Sequence, residues 1–268
     1  MPPINICHDF RYGKIMYNQL DQYVGKSLKL YGEYSQGEAD IFEQLLQPGD
    51  TVIEAGANIG SHTIHLAQIV GPNGKVYAFE PQRLVFQLLA GNIAINSLTN
   101  VYCRNQAVGE CAGELSVPDL DPLKINNWGG LSLLDKHVGE KVPVITLDSL
   151  HIPDCRLLKA DVEGMELFVL KGAIETINRC RPYLYLEADR SDKQKPLFDF
   201  IFEQNYKIYH HNPPLYNPNN YFHNPENVFI QKIEKDGNTS ITEIWSFNVL
   251  CVPKELNVNM TGFEEVVR

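Results

Sequence analysis

Two carboxylates spaced two residues apart, Asp161 and Glu163, stand where a short apolar run meets a helix-like segment, and Glu187 with Asp189 repeats the arrangement after the next run. If strand geometry persists past Ala160, the first pair aims both side chains at one end of a sheet. Carboxylates so placed can take a proton from a hydroxyl. They can also make an oxygen-rich pocket for Mg²⁺ or Ca²⁺, or simply cap a helix N-terminus, which needs no catalysis. A divalent metal is the less favoured of these readings. His210-His211 is a second candidate base at the mouth of a long irregular segment. His62 and His65 lie one helical turn apart, so one can face a ligand while the other is surface or core. Asp161, Glu163, Glu187 and His210 are the catalytic candidates.

A separate constellation reads as a cofactor pocket. Glu54-Ala55-Gly56-Ala57-Asn58-Ile59-Gly60 follows the first apolar run. Glycines at 56 and 60 permit a tight turn and a close backbone approach to a ligand. The dinucleotide fingerprint G-x-G-x-x-G needs a glycine where Asn58 stands, so a cofactor without phosphates fits better. Glu54 would repel phosphate and attract an ammonium group. Glu80-Pro81 lies about 20 residues past the loop, the spacing at which an acid receives both ribose hydroxyls. Gln106-Ala107, at the edge of the third run, can read an adenine ring. Trp128 in Asn126-Asn127-Trp128-Gly129-Gly130 either covers a sugar or aromatic substrate or packs.

These residues need a scaffold, and the periodicity supplies one. From Gly49 onward, β-branched runs alternate with helix-length segments. Strands are predicted at 51–55, 75–79, 100–104, 156–160, 182–186, 206–210 and 246–252, with helices over 61–70, 83–95, 166–179 and 196–204. Seven strands with intervening helices make a doubly wound α/β sheet, whose ligands sit at the carboxyl ends of the strands. Residues 1–48 form an N-terminal cap segment ahead of a domain spanning 49–268. The Asn/Pro/Tyr-rich insertion at 211–245 is far longer than an ordinary connection, which suits a substrate lid.

Composition narrows the function further. The chain has 268 residues, 44% of them hydrophobic, and a net charge of −10. That balance disfavours nucleic acid as a partner. Six scattered cysteines without a CxxC pair read as reduced thiols of a cytoplasmic protein. No run approaches the roughly 18 apolar residues of a membrane span, and the N-terminus lacks the apolar stretch of a signal peptide.

The ordered set Pro48-Gly49-Asp50-x-Val52-Ile53-Glu54-x-Gly56-Ala57-Asn58-Ile59-Gly60, Phe79-Glu80-Pro81, Leu147-Asp148-Ser149-Leu150 and Lys159-Ala160-Asp161-Val162-Glu163-Gly164-Met165-Glu166 resembles the FkbM family of S-adenosylmethionine-dependent methyltransferases. The resemblance runs from about Tyr31 to Pro253. It implies the seven-stranded class I methyltransferase sheet with an antiparallel final strand. It also implies S-adenosylmethionine as cofactor, S-adenosylhomocysteine as product, and a small hydroxylated acceptor such as a sugar. By this resemblance Glu54, Asn58 and Gly60 line the methionine end, Glu80 the ribose, and Gln106 and Ala107 the adenine, with Gly56 and Pro81 also binding the cofactor. Asp161 faces the methionine amine or the transferring methyl. The family's first motif usually opens with Asp, and Glu54 is one methylene longer. Two other readings remain beside it: a nicotinamide-dependent oxidoreductase, against which Asn58 argues, and a binding module on a methyltransferase fold that has lost turnover.

Overall fold

The computed structural model describes residues 4–128, 139–235, 238–258 and 260–268. The chain opens with a hairpin, β1 (Asn5–Phe10) and β2 (Gly13–Asn18), followed by helices α1 (Val24–Tyr31) and α2 (Gln36–Leu45). The central sheet then begins with β3 (Thr51–Ala55), α3 (Ser61–Val70), β4 (Lys75–Phe79), α4 (Arg83–Ile95) and β5 (Val101–Arg104). A small sheet of β6 (Ala107–Val108), β7 (Gly113–Pro118) and β8 (Gly139–Ile145) interrupts it. The main sheet resumes with β9 (Leu157–Ala160), α5 (Glu166–Lys171), α6 (Ile174–Cys180), β10 (Tyr183–Glu187), α7 (Ser191–Glu203) and β11 (Tyr206–His211). A hairpin of β12 (Ile230–Lys235) and β13 (Asn238–Glu243) precedes β14 (Asn248–Pro253) and the short β15 (Glu265–Val266).

The main sheet runs β15-β11-β14-β10-β9-β3-β4-β5. All neighbours from β5 to β10 are parallel, and β14 is antiparallel to both β10 and β11. All seven predicted strands lie in it, in the doubly wound order with an antiparallel final strand between the fifth and sixth. The eight strands rather than seven arise because β15 adds an edge beside β11.

Both faces are covered, so β3 is buried at every position. Val52 points with Val76 and Leu157 into a core shared with α2 and α3, while Ile53 and Ala55 point with Leu158 and Leu186 into one shared with α5, α6 and α7. The N-terminal hairpin belongs to a third core: Phe10, Ile15 and Tyr17 pack with Ile64 of α3 and with Val85 and Leu89 of α4.

Two helices differ from expectation. The predicted 166–179 helix is split at Gly172-Ala173 into α5 and α6. A Cβ on Gly172 would lie 2.0 Å from the Gly109 carbonyl oxygen, so this close approach requires glycine. Asp148 then caps α6, receiving the backbone N–H groups of Glu175 and Thr176 at 2.9 and 2.8 Å. The last helix starts five residues earlier than predicted, at Ser191, and carries Pro196 in its interior.

The insertion folds back on the N-terminal segment. Tyr31 of α1 packs with Leu215 and Phe229. Buried Glu33 accepts hydrogen bonds from Arg11 Nε, Asn217 Nδ2 and the Tyr221 backbone at 2.8 Å each.

Candidate active site

The carboxyl ends of β3, β4, β9 and β10 meet at a cavity of about 360 Å³. The loop after β3 is pinned across β4, because the N–H groups of Gly56 and Ala57 both donate to the Phe79 carbonyl at 3.0 and 2.9 Å. Gly56 has φ +80°, and a Cβ there would stand 1.8 Å from the Asp161 carbonyl oxygen. No other residue fits between the two loops. Asn58 follows with φ +50°, a left-handed conformation that asparagine tolerates better than most residues.

Glu80 is fixed by that loop. Its Oε2 accepts the Asn58 N–H at 3.0 Å, and its Oε1 the Gln82 N–H at 2.8 Å. Burial pushes this carboxyl up to about 7, against the opposing pull of the two N–H groups. Each oxygen retains a lone pair for a ligand hydroxyl.

The floor holds a buried ion cluster. Lys159 Nζ lies 3.8 Å from Glu54 Oε1 and 3.5 Å from Asp161 Oδ2. Glu54 is also held by Thr63 Oγ1, which donates to its Oε2 at 2.6 Å. Burial raises Glu54 to about 7 despite Lys159, whereas Lys159 stays above its ordinary value although burial opposes its charge. The two shifts reconcile because one ammonium is shared: it feels Asp161, Glu54, Glu38 and Glu187 together, while each carboxyl feels the others as well as the lysine.

On the far side, Asp161, Glu163 and Glu187 present oxygens all within 4.8 Å of one another, a donor set that a hard divalent cation can use. Strand geometry does not bring them together, since β9 ends at Ala160 and Glu163 takes φ +56°. The loop itself folds the second carboxylate back. Arg190 anchors Glu163 at 2.6 Å. Burial, then the neighbouring carboxylates, push Glu163 to about 7 and Glu187 to about 11, so the triad retains a proton at neutral pH. Glu187 Oε2 is buried without a hydrogen-bond partner.

Glu54, Gly56, Asn58, Glu80, Pro81, Asp161, Glu163 and Glu187 therefore all line one cavity. Gly60 does not, standing behind the loop at the start of α3. Gln106 and Ala107 also lie off the wall, because Ala107 is paired into β6 against Val144 and buried. Gln82 and Val117 line the cavity instead. His210 is likewise off the wall, its ring edge-on to Phe198. His211 is bound through Nδ1 to the Tyr185 hydroxyl at 2.8 Å. Of the helix pair, His62 lines the cavity, whereas His65 stacks on Tyr12 with ring centroids 3.8 Å apart. Glu166 accepts the N–H groups of Val162 and Gly164 and so braces its own loop. Trp128 is on the wall with Nε1 buried and unpartnered, and Gly129 and Gly130 lie outside the described residues.

Lys159, Tyr34 and Glu38 line the cavity as well. Lys159 carried a signal, a lone charge inside the apolar run Leu157-Leu158-Lys159-Ala160. Tyr34 and Glu38 reach the cavity from the N-terminal segment, whose docking no local pattern announces.

The Methyltransferase FkbM domain matches residues 54–208, more than half of the chain. The chain belongs to the FkbM methyltransferase family. The match begins at Glu54 and takes in Glu80, the Asp161–Glu166 loop and Glu187. No curated protein sequence matches the chain. Among solved structures, an FkbM methyltransferase from Methylobacillus flagellatus KT is similar at 17% identity and a TM-score of 0.49, over 80% of this chain and 50% of that one. This chain thus spans half the length of that FkbM methyltransferase. A precorrin-6y C5,15-methyltransferase from Geobacter metallireducens GS-15 aligns at 12% identity and 0.48, over 80% and 87% of the two chains. A SAM-dependent O-methyltransferase from Thermotoga maritima aligns at 12% and 0.45, over 92% and 77%. No helix among the described residues is long and apolar enough to cross a membrane.

Proposed function

We propose that this FkbM-family chain transfers the methyl group of S-adenosylmethionine to a hydroxyl of a small polar acceptor. The observation carrying the reading is Glu80, an acid fixed by the loop it faces at the end of β4. The residues present fit the cofactor. Glu54 and Asp161 offer negative charge to an ammonium group, and Glu80 offers two oxygens to a diol. Gln82 and Val117 border the space beside Pro81, which suits a flat base. Trp128 Nε1 is buried at the wall without a hydrogen-bond partner, as a polar group awaiting a ligand would be, and His62 Nε2 has only the Glu38 carboxylate 3.6 Å away. When bound, the cofactor supplies a methyl group on an electron-poor sulfonium.

The remaining work falls to the chain. Methyl transfer needs alignment and exclusion of water. Trp128 and the insertion residues Leu215, Ile244 and Trp245 wall the cavity and serve as the lid side. The acceptor hydroxyl gives its proton to the triad, where Glu163, raised to about 7, is matched to that task at neutral pH. Glu187, more strongly protonated, donates a hydrogen bond that orients the acceptor. The test is a screen of sugars and other polyhydroxy compounds with methyl-labelled S-adenosylmethionine. An O-methyl product that disappears in Glu163→Gln is expected. Transfer to nitrogen or carbon, or turnover indifferent to Glu163, would overturn the hydroxyl assignment.

A further inference from the structure

A second cavity, of about 540 Å³, lies between α1, the segment around Ile125 and the start of β12. Its volume falls in the range of small-molecule sites, roughly 300–1,000 Å³. It shares Tyr23 and Ile244 with the active-site cavity, so the two are neighbours across a common wall. Its lining is mainly apolar, with Leu20, Ile125, Val228 and Ile230 facing it. Ile125 is 66% exposed and Ile230 43%, so no described residue covers these side chains.

Two lysines rim the same cavity. Lys26 and Lys29 are one helical turn apart on α1. Among the described residues neither forms an ion pair, and the contact of Lys26 Nζ is with the Phe229 ring, 5.6 Å to its centroid. Asp21 also lines the cavity, but its carboxylate accepts the Gly25 N–H at 2.7 Å and, among the described residues, pairs with neither lysine. Like charges at this spacing repel, and an anion between them would relieve that repulsion. Apolar walls with a cationic rim complement a molecule that carries a hydrocarbon segment and an anionic group.

We infer that the methyl acceptor extends beyond the polar, hydroxyl-bearing part proposed above: this cavity binds its distal part, an apolar segment bearing a phosphate or carboxylate, with the hydroxyl reaching past Tyr23 and Ile244 into the active site. The inference rests on the methyltransferase reading for the hydroxyl, but the second cavity can be probed alone. Its position against the active-site cavity, with Tyr23 and Ile244 lining both, favours a single extended molecule over a membrane surface.

The experiment is calorimetric titration of the full chain with decyl phosphate, decanoate, decyl glucoside and decyltrimethylammonium, each below its micelle concentration. S-adenosylhomocysteine is titrated separately. One molecule of an anionic probe should bind per chain, at least about tenfold tighter than the neutral glucoside, and the cation should not bind. Comparison of decyl phosphate with decanoate identifies which anion is preferred. Lys26→Glu/Lys29→Glu, and independently Ile125→Glu, should each weaken anionic-probe binding about tenfold or more while leaving S-adenosylhomocysteine binding unchanged. Equal binding of the neutral probe, several molecules per chain, or indifference to both variants would overturn the inference. So would lysine-dependent co-sedimentation with phosphatidylglycerol vesicles, which would make the patch a membrane contact. Loss of S-adenosylhomocysteine binding with anionic-probe binding intact would instead remove the methyltransferase reading and keep the cavity.

Discussion

Lys159 and Glu54 are direct partners in the parallel register of β9 and β3, and their charged groups meet 3.8 Å apart beneath the cavity. Both are buried, at 2% and 1% exposure. A buried ammonium costs several kcal/mol in lost hydration unless its charge is returned by neighbours. Here Glu54 and Asp161 return it, and in exchange the lysine keeps two carboxylates crowded at one end of the sheet. The cluster thus links the folding of the sheet to the negative charge of the site.

Removing the cation leaves those carboxylates unpaired. Lys159→Met should destabilise the chain by about 3–5 kcal/mol, the usual effect of breaking a buried pair. Lys159→Met/Glu54→Leu should recover at least about half of that loss. Urea unfolding of the four members of the cycle measures it, and an additive cycle would mean that the pair is not coupled.

The raised carboxyls give a pH dependence of definite sign. Glu54 and Glu80 sit at about 7 when folded, against an ordinary value of 4.5. Between those values the folded chain holds protons that the unfolded chain has released, so these groups make stability fall as pH rises from about 5 to 8. Binding of an ammonium-bearing ligand runs the other way, because it requires the ionised form. S-adenosylhomocysteine affinity should therefore rise between pH 6 and 8, by up to about tenfold per unit for each proton released. A flat profile by calorimetry would contradict these proton assignments.

The turn after β3 gives a conformational prediction. Gly56→Ala meets both a φ of +80° and the Asp161 carbonyl at 1.8 Å. A cost of at least about 2–3 kcal/mol follows from strain and displacement, with loss of cofactor affinity because both loops carry cavity residues. Thermal unfolding and ligand titration together test it. A variant as stable as the parent would show that the two loops are not in contact.

The burial pattern of the sheet was legible in the sequence, since runs such as Thr51–Ala55 and Lys75–Phe79 read as strands by composition alone and appear with those bounds. Element ends set by tertiary contacts were not. Gly172 breaks a helix because Gly109 approaches it, and α7 starts ahead of Pro196. The meeting of Glu54 and Glu80 at one cavity was readable because both stand at the carboxyl ends of strands. His210 looked equally well placed, but its position in β11 carries it away from β3, next to the edge strand β15. Gln106 was misplaced for a related reason: the stretch after β5 enters a separate small sheet rather than continuing along the cavity.

Glu80 carries the proposed cofactor site, and calorimetric titration with S-adenosylhomocysteine tests it. The chain should bind one molecule with a dissociation constant on the order of micromolar, near −8 kcal/mol. Glu80→Ala removes the carboxylate from the ribose side and strands two backbone N–H groups, a loss of about 2–3 kcal/mol or roughly 30- to 150-fold in affinity. Glu80→Gln, which keeps one acceptor, should fall between the two. Absence of binding by the parent chain, or binding unchanged in Glu80→Ala, would contradict the assignment of this cavity to S-adenosylmethionine.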